Sequence, residues 1–380
     1  MVQITFTQDF HDQPAAIKVV GLGGAGGNAV NRMIEAGLSH VEFIAANTDS
    51  QALRRNKAPV RLQLGEQITK GLGVGGNPVL GRQATEESRD RLREVLTGAD
   101  MVFITAGMGG GTGTGSAPVV AQIARALDPA PLVVGVVTKP FDFEGRVRRD
   151  QAEQGIEELR AHVDTLLAIP NDRLFDIISE TTTSLEAFRV ADNVLRQAVQ
   201  AITDVITRHG LINVDFADVR SIMSGAGEAL MGMGECRGTG RALEAAKMAI
   251  QSPLLENVDI DGARGLLVNI SGNKSITLFE IKTAMDFIKN AAASDAHVFY
   301  GQVFDDSLEE RFLVTVIATG FPPTRRTVAR ALPGRRTVRE LVNDSTPVRK
   351  TAAHPVDGDS SNDNDLRRPA YLRRKTRKLS

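Results

Sequence analysis

Between residues 14 and 180 short apolar runs alternate with longer amphipathic stretches. Ile17–Val20, Val41–Ala46, Met101–Thr105, Leu132–Val137 and Leu166–Ile169 are mostly apolar and rich in β-branched residues. That composition fits strands of a parallel sheet covered on both faces. Asn28–Ala36 and Ala84–Leu96, lying between such runs, carry their apolar residues at helical spacing. The alternation predicts a doubly wound α/β domain.

A different pattern follows. Phe188, Ala191, Leu195, Ala198, Ile202 and Val205 hold one helical face from about Ser184 to Arg208. Thr183-x-x-Glu186 has the form of a capping box at its start, and Gly210 of a stop, with Arg208 and His209 at the negative end of the dipole. About 25 residues at 1.5 Å each give a rod of roughly 37 Å, long enough to run along two domains. Residues 219–319 then read as a second α/β unit, with strands at Gly265–Ser271, His297–Phe304 and Arg311–Thr319. A helix marked by Leu278, Ile281, Met285 and Ile288 lies between the first two. Past Gly320 the periodicity ends. Residues 321–365, rich in Pro, Arg, Thr, Asp and Ser, read as a flexible linker. An apolar island, Leu366–Leu372, precedes a basic end.

Charge sharpens this division. The net charge is -1, yet from Phe321 onward 15 Lys and Arg face 6 Asp and Glu, so the body is acidic and the tail basic. The two parts therefore suit different partners. Cys236 is the only cysteine, which rules out an internal disulfide or a cysteine-based zinc site and fits a reducing compartment. The polar N-terminus has no signal-peptide core, and no apolar run approaches a membrane span. The expectation is a cytoplasmic protein. The six His show no metal-ligand spacing, and no metal site is expected from side chains alone.

The candidate chemistry lies in glycine-rich turns at strand ends. Gly21-Leu22-Gly23-Gly24-Ala25-Gly26-Gly27-Asn28 satisfies G-x-G-x-x-G, with Asp49 where a ribose-binding acid would stand. Taken alone this reads as a nicotinamide-dependent Rossmann oxidoreductase. A second and denser cluster, Gly107-Met108-Gly109-Gly110-Gly111-Thr112-Gly113-Thr114-Gly115-Ser116, follows another strand of the same sheet. Three further segments, Asn47-Thr48-Asp49, Gly71–Pro78 and Thr138–Phe141, complete the set. Strand ends of one parallel sheet face the same way, so these loops converge on one pocket. Bare backbone N–H groups at helix starts suit phosphate. Five loops around one pocket favour a mononucleotide polyphosphate over a dinucleotide. No G-x-x-x-x-G-K-[ST] occurs, which excludes a P-loop NTPase.

The run Gly109–Gly115 resembles the signature loop of the tubulin/FtsZ superfamily. The segments Gly21–Asn31, Asn47–Ala52, Lys70–Pro78, Gly107–Pro118, Val137–Gly145, Ile169–Asp172, Asn213–Val219 and Ser252–Leu255 narrow the resemblance to the FtsZ family of bacterial cell-division GTPases, over about residues 15–320. The resemblance implies a Rossmann-like parallel-sheet GTPase domain joined by a long central helix to a second, smaller α/β domain. The expected organisation is a disordered N-terminal segment (1–13), a GTP-binding domain (14–183), the central helix (184–209), a GTPase-activating domain (210–320), the linker (321–365) and a C-terminal partner-binding peptide with a basic end (366–380).

It also implies roles. Gly24, Ala25, Gly26, Gly27 and Asn28 would line the diphosphate and ribose, and Gly110, Gly111, Thr112, Gly113 and Thr114 would cradle the β- and γ-phosphates. Glu144 and Arg148 would sit by ribose and phosphate. Phe188 would stack on guanine, although it equally fits the apolar stripe of its helix. Asp192 would accept from the base N1–H and N2–H₂. GTP would be substrate and GDP product, with Mg²⁺ accompanying the polyphosphate.

The phosphate loops themselves contain no group to orient an attacking water. Asn213, Asp215 and Asp218 lie past the far end of the long helix, too far to reach the nucleotide of their own subunit. Residue type alone lets Asn213 and Asp215 cap the next helix. The resemblance instead implies a composite site: Asp215 and Asp218 activate water on a neighbour's nucleotide and Asn213 helps position it. Assembly would then be a head-to-tail homopolymer, the cytokinetic ring beneath the inner membrane.

By the same resemblance Leu366–Arg374 docks onto membrane tethers and regulators through Pro369, Ala370, Tyr371 and Leu372. Lys375, Arg377 and Lys378 would touch anionic lipid weakly. No nucleic-acid partner and no transmembrane segment are expected. Two places depart from the family pattern. Arg367 and Arg368 stand where an acidic and an aliphatic residue are usual, and Val79 replaces a Glu after Asn77-Pro78. The second change bears on γ-phosphate sensing or on the subunit contact.

Overall fold

The computed structural model describes residues 15–179, 181–208, 212, 214–255 and 260–321. The N-terminal segment 1–13, His209, Gly210, Asn213, linker residues 322–365 and the peptide 366–380 lie outside the described residues.

The described strands are β1 (Ile17–Leu22), β2 (Val41–Asn47), β3 (Val60–Gln63), β4 (Met101–Gly107), β5 (Leu132–Lys139), β6 (Thr165–Pro170), β7 (Gly227–Arg237), β8 (Gly265–Gly272), β9 (His297–Phe304) and β10 (Arg311–Thr319). The helices are α1 (Gly23–Glu35), α2 (Ser50–Arg55), α3 (Glu66–Thr69), α4 (Pro78–Glu87), α5 (Arg89–Leu96), α6 (Thr112–Arg125), α7 (Arg146–Arg160), α8 (Ser184–Thr207), α9 (Phe216–Met223), α10 (Arg241–Ile250) and α11 (Leu278–Ala291).

Every strand expected from the sequence is present: His297–Phe304 and Arg311–Thr319 keep the expected bounds, and the others are longer by one or two residues. The strands form one sheet in the order β3-β2-β1-β4-β5-β6-β7-β10-β8-β9. From β3 to β7 all pairings are parallel. β10 runs antiparallel to both β7 and β8, and β9 closes the edge parallel to β8. The first six strands have the order 3-2-1-4-5-6, which puts a topological switch point between β1 and β4. Both dense glycine clusters follow those two strands.

The two α/β units are thus joined by more than a helix. β7 pairs with β6 through Thr165↔Gly227, Leu166↔Glu228 and Leu167↔Ala229, so the second unit continues the first sheet. α8 lies along that sheet. Its buried residues Ala191, Val194, Leu195, Ala198, Ile202 and Val205 share one core with Val136 and Ile169 of the first unit and Leu267 and Ile317 of the second. A separate core on the opposite face buries α10 and α11 against β8 and β10.

Three local features differ from the sequence pattern. α1 begins at Gly23 rather than near Asn28, so the first glycine cluster forms the opening turns of the helix instead of a turn before it. The stretch 84–96 is not one helix but breaks at Ser88 between α4 and α5. Its hydroxyl accepts from the Gly65 N–H at 3.0 Å and donates to the Ala84 carbonyl at 3.2 Å, and that local bonding competes with the helix ladder. β3 and β7 were not expected.

Candidate functional site

At the switch point, a cavity of about 290 Å³ opens between the β1 and β4 loops and the first turns of α8. Gly24 and Ala25 come from α1, Gly110 to Gly113 from the second cluster, Thr138 and Pro140 from the end of β5. Glu144 and Arg148 stand at its rim, with Phe188 and Asp192 on α8 opposite. Gly27 and Asn28 lie outside this cavity and line an adjoining one of about 220 Å³, which also includes Gly24.

Glycine is required where α1 crosses the sheet. A Cβ at Gly26 would stand 2.3 Å from the Thr105 carbonyl oxygen. Only a bare backbone lets the helix start sit this deep between β1 and β4, and that position puts its free N–H groups at the cavity. Gly26 is therefore a packing position beneath the site. α6 begins at Thr112, so the second cluster also delivers a helix N-terminus to the same space.

The threonine hydroxyls have other partners. Thr112 Oγ1 and Thr48 Oγ1 are 2.7 Å apart, tying the second cluster to the loop after β2. Thr114 is buried and its Oγ1 accepts from the Gly109 N–H at 2.8 Å. These bonds hold the loop in shape, and the backbone N–H groups at the start of α6 stand ready for an anion. The Gly71–Pro78 segment lies behind Gly111 and ends in α4, where Asn77 Oδ1 accepts from the N–H groups of Val79 and Leu80. Asp49 is likewise a cap. Its Oδ1 accepts from Gln51 N–H at 2.8 Å and Ala52 N–H at 3.3 Å, which commits it to α2 and away from a dinucleotide ribose.

On the opposite wall α8 starts with the expected capping box. Thr183 Oγ1 accepts from the Glu186 N–H at 3.3 Å, and Glu186 Oε2 accepts from the Thr183 N–H at 3.0 Å. One turn later Phe188 is 43% exposed, which sets it apart from the buried stripe of the helix. It meets the buried Phe141 edge-on at a centroid distance of 5.5 Å. Asp192 lies one further turn in. Burial pushes its carboxyl up to about 6, against a lowering by the nearby Arg32 guanidinium. Glu144 Oε1 accepts from the Phe141 N–H at 3.0 Å, and its other oxygen pairs with Arg148.

Asn171, which follows β6, lines the same cavity, and its Oδ1 is buried with no hydrogen-bond partner among the described residues. The sequence reading passed over it. The signal was a polar residue one step past the strand end Leu166–Ile169-Pro170. An orphaned acceptor at a cavity wall fits a ligand donor.

Asp215 and Asp218 are not at this cavity. Asp215 is exposed and directly precedes α9, and Asp218 is half-buried in the first turn. The Asp215 side chain makes no capping hydrogen bond, so the cap reading fails for it. Between Asp192 and the end of α8 at Thr207 lie about four turns of helix, on the order of 20 Å. The structure therefore separates Asp215 and Asp218 from the nucleotide-site candidates by most of the length of α8. Among the described residues no group of three or more His, Cys, Asp or Glu is disposed to hold a metal ion. No described helix is long and apolar enough to cross a membrane.

Comparison with known proteins agrees with this geometry. The GTPase domain of the Tubulin/FtsZ family matches residues 16–179, and the C-terminal domain of the FtsZ family matches residues 227–322. An empty FtsZ dimer from M. jannaschii is similar at 44% identity, over 82% of this chain and 89% of that one, with a TM-score of 0.78. A point mutant of M. jannaschii FtsZ is 45% identical over 81% and 92% of the two chains, again with a TM-score of 0.78. CetZ2 of Haloferax volcanii, solved as a GTPγS-bound protofilament, shares the fold at 21% identity and a TM-score of 0.70, over 82% of this chain and 95% of that one.

Proposed function

Because this chain belongs to the FtsZ family, we propose that it binds GTP in the switch-point cavity and assembles head to tail into filaments of a division ring, hydrolysing GTP where two subunits meet. The observation that carries this is the separation of the two halves of the chemistry: phosphate loops at one end of α8, and the Asp215–Asp218 pair beyond the other.

Backbone N–H groups at the starts of α1 and α6 receive the phosphates, as free helix N-termini do for anions. Gly110, Gly111 and Gly113 approach most closely, while Thr112 and Thr114 hold the loop. Gly24, Ala25, Gly27 and Asn28 face diphosphate and ribose, with Glu144 and Arg148 at the rim. Asp192 accepts from guanine N1–H and N2–H₂, an edge where adenine offers no such pair of donors. Phe188 gives the base an aromatic face, and the Asn171 oxygen accepts from the nucleoside.

Mg²⁺, when bound with the polyphosphate, would supply charge neutralisation there. The described side chains form no carboxylate cage for it, which suits an ion held through phosphate and water.

The phosphate-loop residues that line the cavity include no carboxylate to orient a water. Asp215, Asp218 and Asn213 of a second copy do so. A heterologous contact of this kind does not close on itself and gives a filament. The oxidoreductase alternative finds no support, since Asp49 is a helix cap. The peptide 366–380 recruits the filament to membrane tethers at the division site, its basic end assisted by anionic lipid.

Asp218→Ala tests the composite site. GTP binding by calorimetry stays within about twofold of wild type, and phosphate release falls by at least two orders of magnitude, the size expected when a water-orienting group is removed. Equal loss of binding and turnover would assign Asp218 to the fold instead.

A further inference from the structure

Arg32 is half-buried on α1, where its guanidinium approaches α8. Its Nε lies 3.9 Å from Asp192 Oδ2, and that Nε is buried with no hydrogen-bond partner. An unpaired donor inside a wall is costly unless a partner arrives. Arg32 also lines the separate cleft of about 490 Å³ between α8 and the second unit, so it forms part of the partition between that cleft and the nucleotide cavity.

The surrounding charges leave this guanidinium to Asp192. Glu35, one turn along α1, approaches Arg32 at 3.7 Å, but Lys57 holds Glu35 more closely at 3.0 Å and keeps its carboxyl below the usual range. Arg196, one turn beyond Asp192 on α8, is turned to Asn193 and Gln200. Arg189, one turn before it, acts on Glu35 and Glu186. Arg148, across the cavity, is paired with Glu144. Arg32 is the cation that acts on Asp192.

We infer that Arg32 is a positioning residue for guanine recognition: it keeps the Asp192 carboxylate charged and aimed at the base edge, and closes its last hydrogen bond when the nucleotide arrives. This rests on the reading of Asp192 as the guanine contact. A protonated carboxyl would present one donor to an edge that offers two donors. Its affinity for guanine would drop, and its preference over other bases with it. Burial already raises the Asp192 carboxyl to about 6, and removing Arg32 takes away the one opposing charge.

The experiment is GDP binding by calorimetry to wild type, Arg32→Gln, Arg32→Lys and Asp192→Asn at pH 6.5 and pH 8.5, with thermal melts of each. Arg32→Gln is expected to bind GDP about threefold more weakly at pH 6.5 and indistinguishably from wild type at pH 8.5, since raising the Asp192 carboxyl by about one unit from about 6 cuts its ionised fraction at pH 6.5 from about three-quarters to about one-quarter. Arg32→Lys restores the wild-type profile. A loss equal at both pH values, no loss, or a Lys variant that behaves like Gln would overturn the proposal. Asp192→Asn separates the two readings. If it binds GDP as tightly as wild type, the guanine contact itself is wrong; if it binds weakly while Arg32→Gln is normal, only the role of Arg32 is wrong.

Discussion

Asp192 shows how a residue's burial can oppose the fold and serve the ligand. Its carboxyl is raised from 3.8 to about 6 chiefly by desolvation. In the unfolded chain the group ionises near 4. In the folded chain it retains its proton until about 6, so the native state binds more protons across that interval. Stability from this group is therefore present below pH 4 and lost as pH rises to 6, by roughly 2–3 kcal/mol at about 1.4 kcal/mol per unit. At neutral pH the nucleotide-free protein carries that cost, and under the proposed contact a bound guanine would offset it by supplying donors. Asp192→Asn is predicted to raise the melting temperature of the nucleotide-free protein at pH 7.5 but not at pH 4, and to weaken GTP binding at least tenfold. Differential scanning calorimetry with and without nucleotide checks both halves.

Among residues, some assignments were legible and some were not. The glycine positions could be read from sequence because strand ends of one parallel sheet must face one way. Asn171 and Arg32 could not. An Asn after a strand, or an Arg on an amphipathic helix, has no pattern until the fold shows which wall it enters. Asp49 was legible in position but not in role, since a carboxylate after a strand serves a ribose or the next helix equally well.

α8 is the element on which the geometry depends. It brings Phe188 and Asp192 to one end of the molecule and separates Asp215 and Asp218 from them. Its limits could be read from sequence because local signals agreed: a capping box, an unbroken apolar stripe and no interior Pro or Gly. The capping box matters because it fixes the first turn, just before Phe188 and Asp192, the two proposed base contacts. Thr183→Ala is predicted to destabilise the protein by about 1 kcal/mol. It should also weaken GTP binding severalfold, with turnover per bound GTP little changed. Urea melts and nucleotide titration read these effects separately.

β7 illustrates the opposite case. It was not among the strands expected of the second unit, and Gly227, Gly232 and Gly234 interrupt its apolar run. The reason for one of them is tertiary: a Cβ at Gly234 would lie 2.0 Å from the Ala245 carbonyl oxygen of α10. The glycine admits a helix against the strand, and single-chain periodicity cannot register that. β3 was missed because it is four residues at a sheet edge, Val60-Arg61-Leu62-Gln63, too short for alternation to stand out.

At the scale of the whole molecule, one continuous sheet and one helix hold the two halves in fixed relation. On the proposed reading neither half completes the chemistry. The body from 15 to 321 contains every candidate for nucleotide binding and water activation, whereas the basic tail lies outside the described residues. Deleting residues 366–380 is therefore predicted to leave GTPase activity and GTP-induced light scattering within about twofold of full length. It should also abolish recruitment of a fluorescent fusion to the division site. Normal recruitment would place tether recognition elsewhere in the chain.

The composite site makes one demand that an ordinary enzyme does not. If water is oriented only by a neighbour's Asp215 and Asp218, an isolated subunit binds GTP but cannot turn it over. Phosphate release per subunit, measured across a dilution series with Mg²⁺ and saturating GTP, is predicted to stay near zero below a threshold protein concentration. Above it the rate should rise steeply, in step with light scattering. A rate per subunit that is constant at every dilution would contradict the account, because the active site would then be complete within one chain.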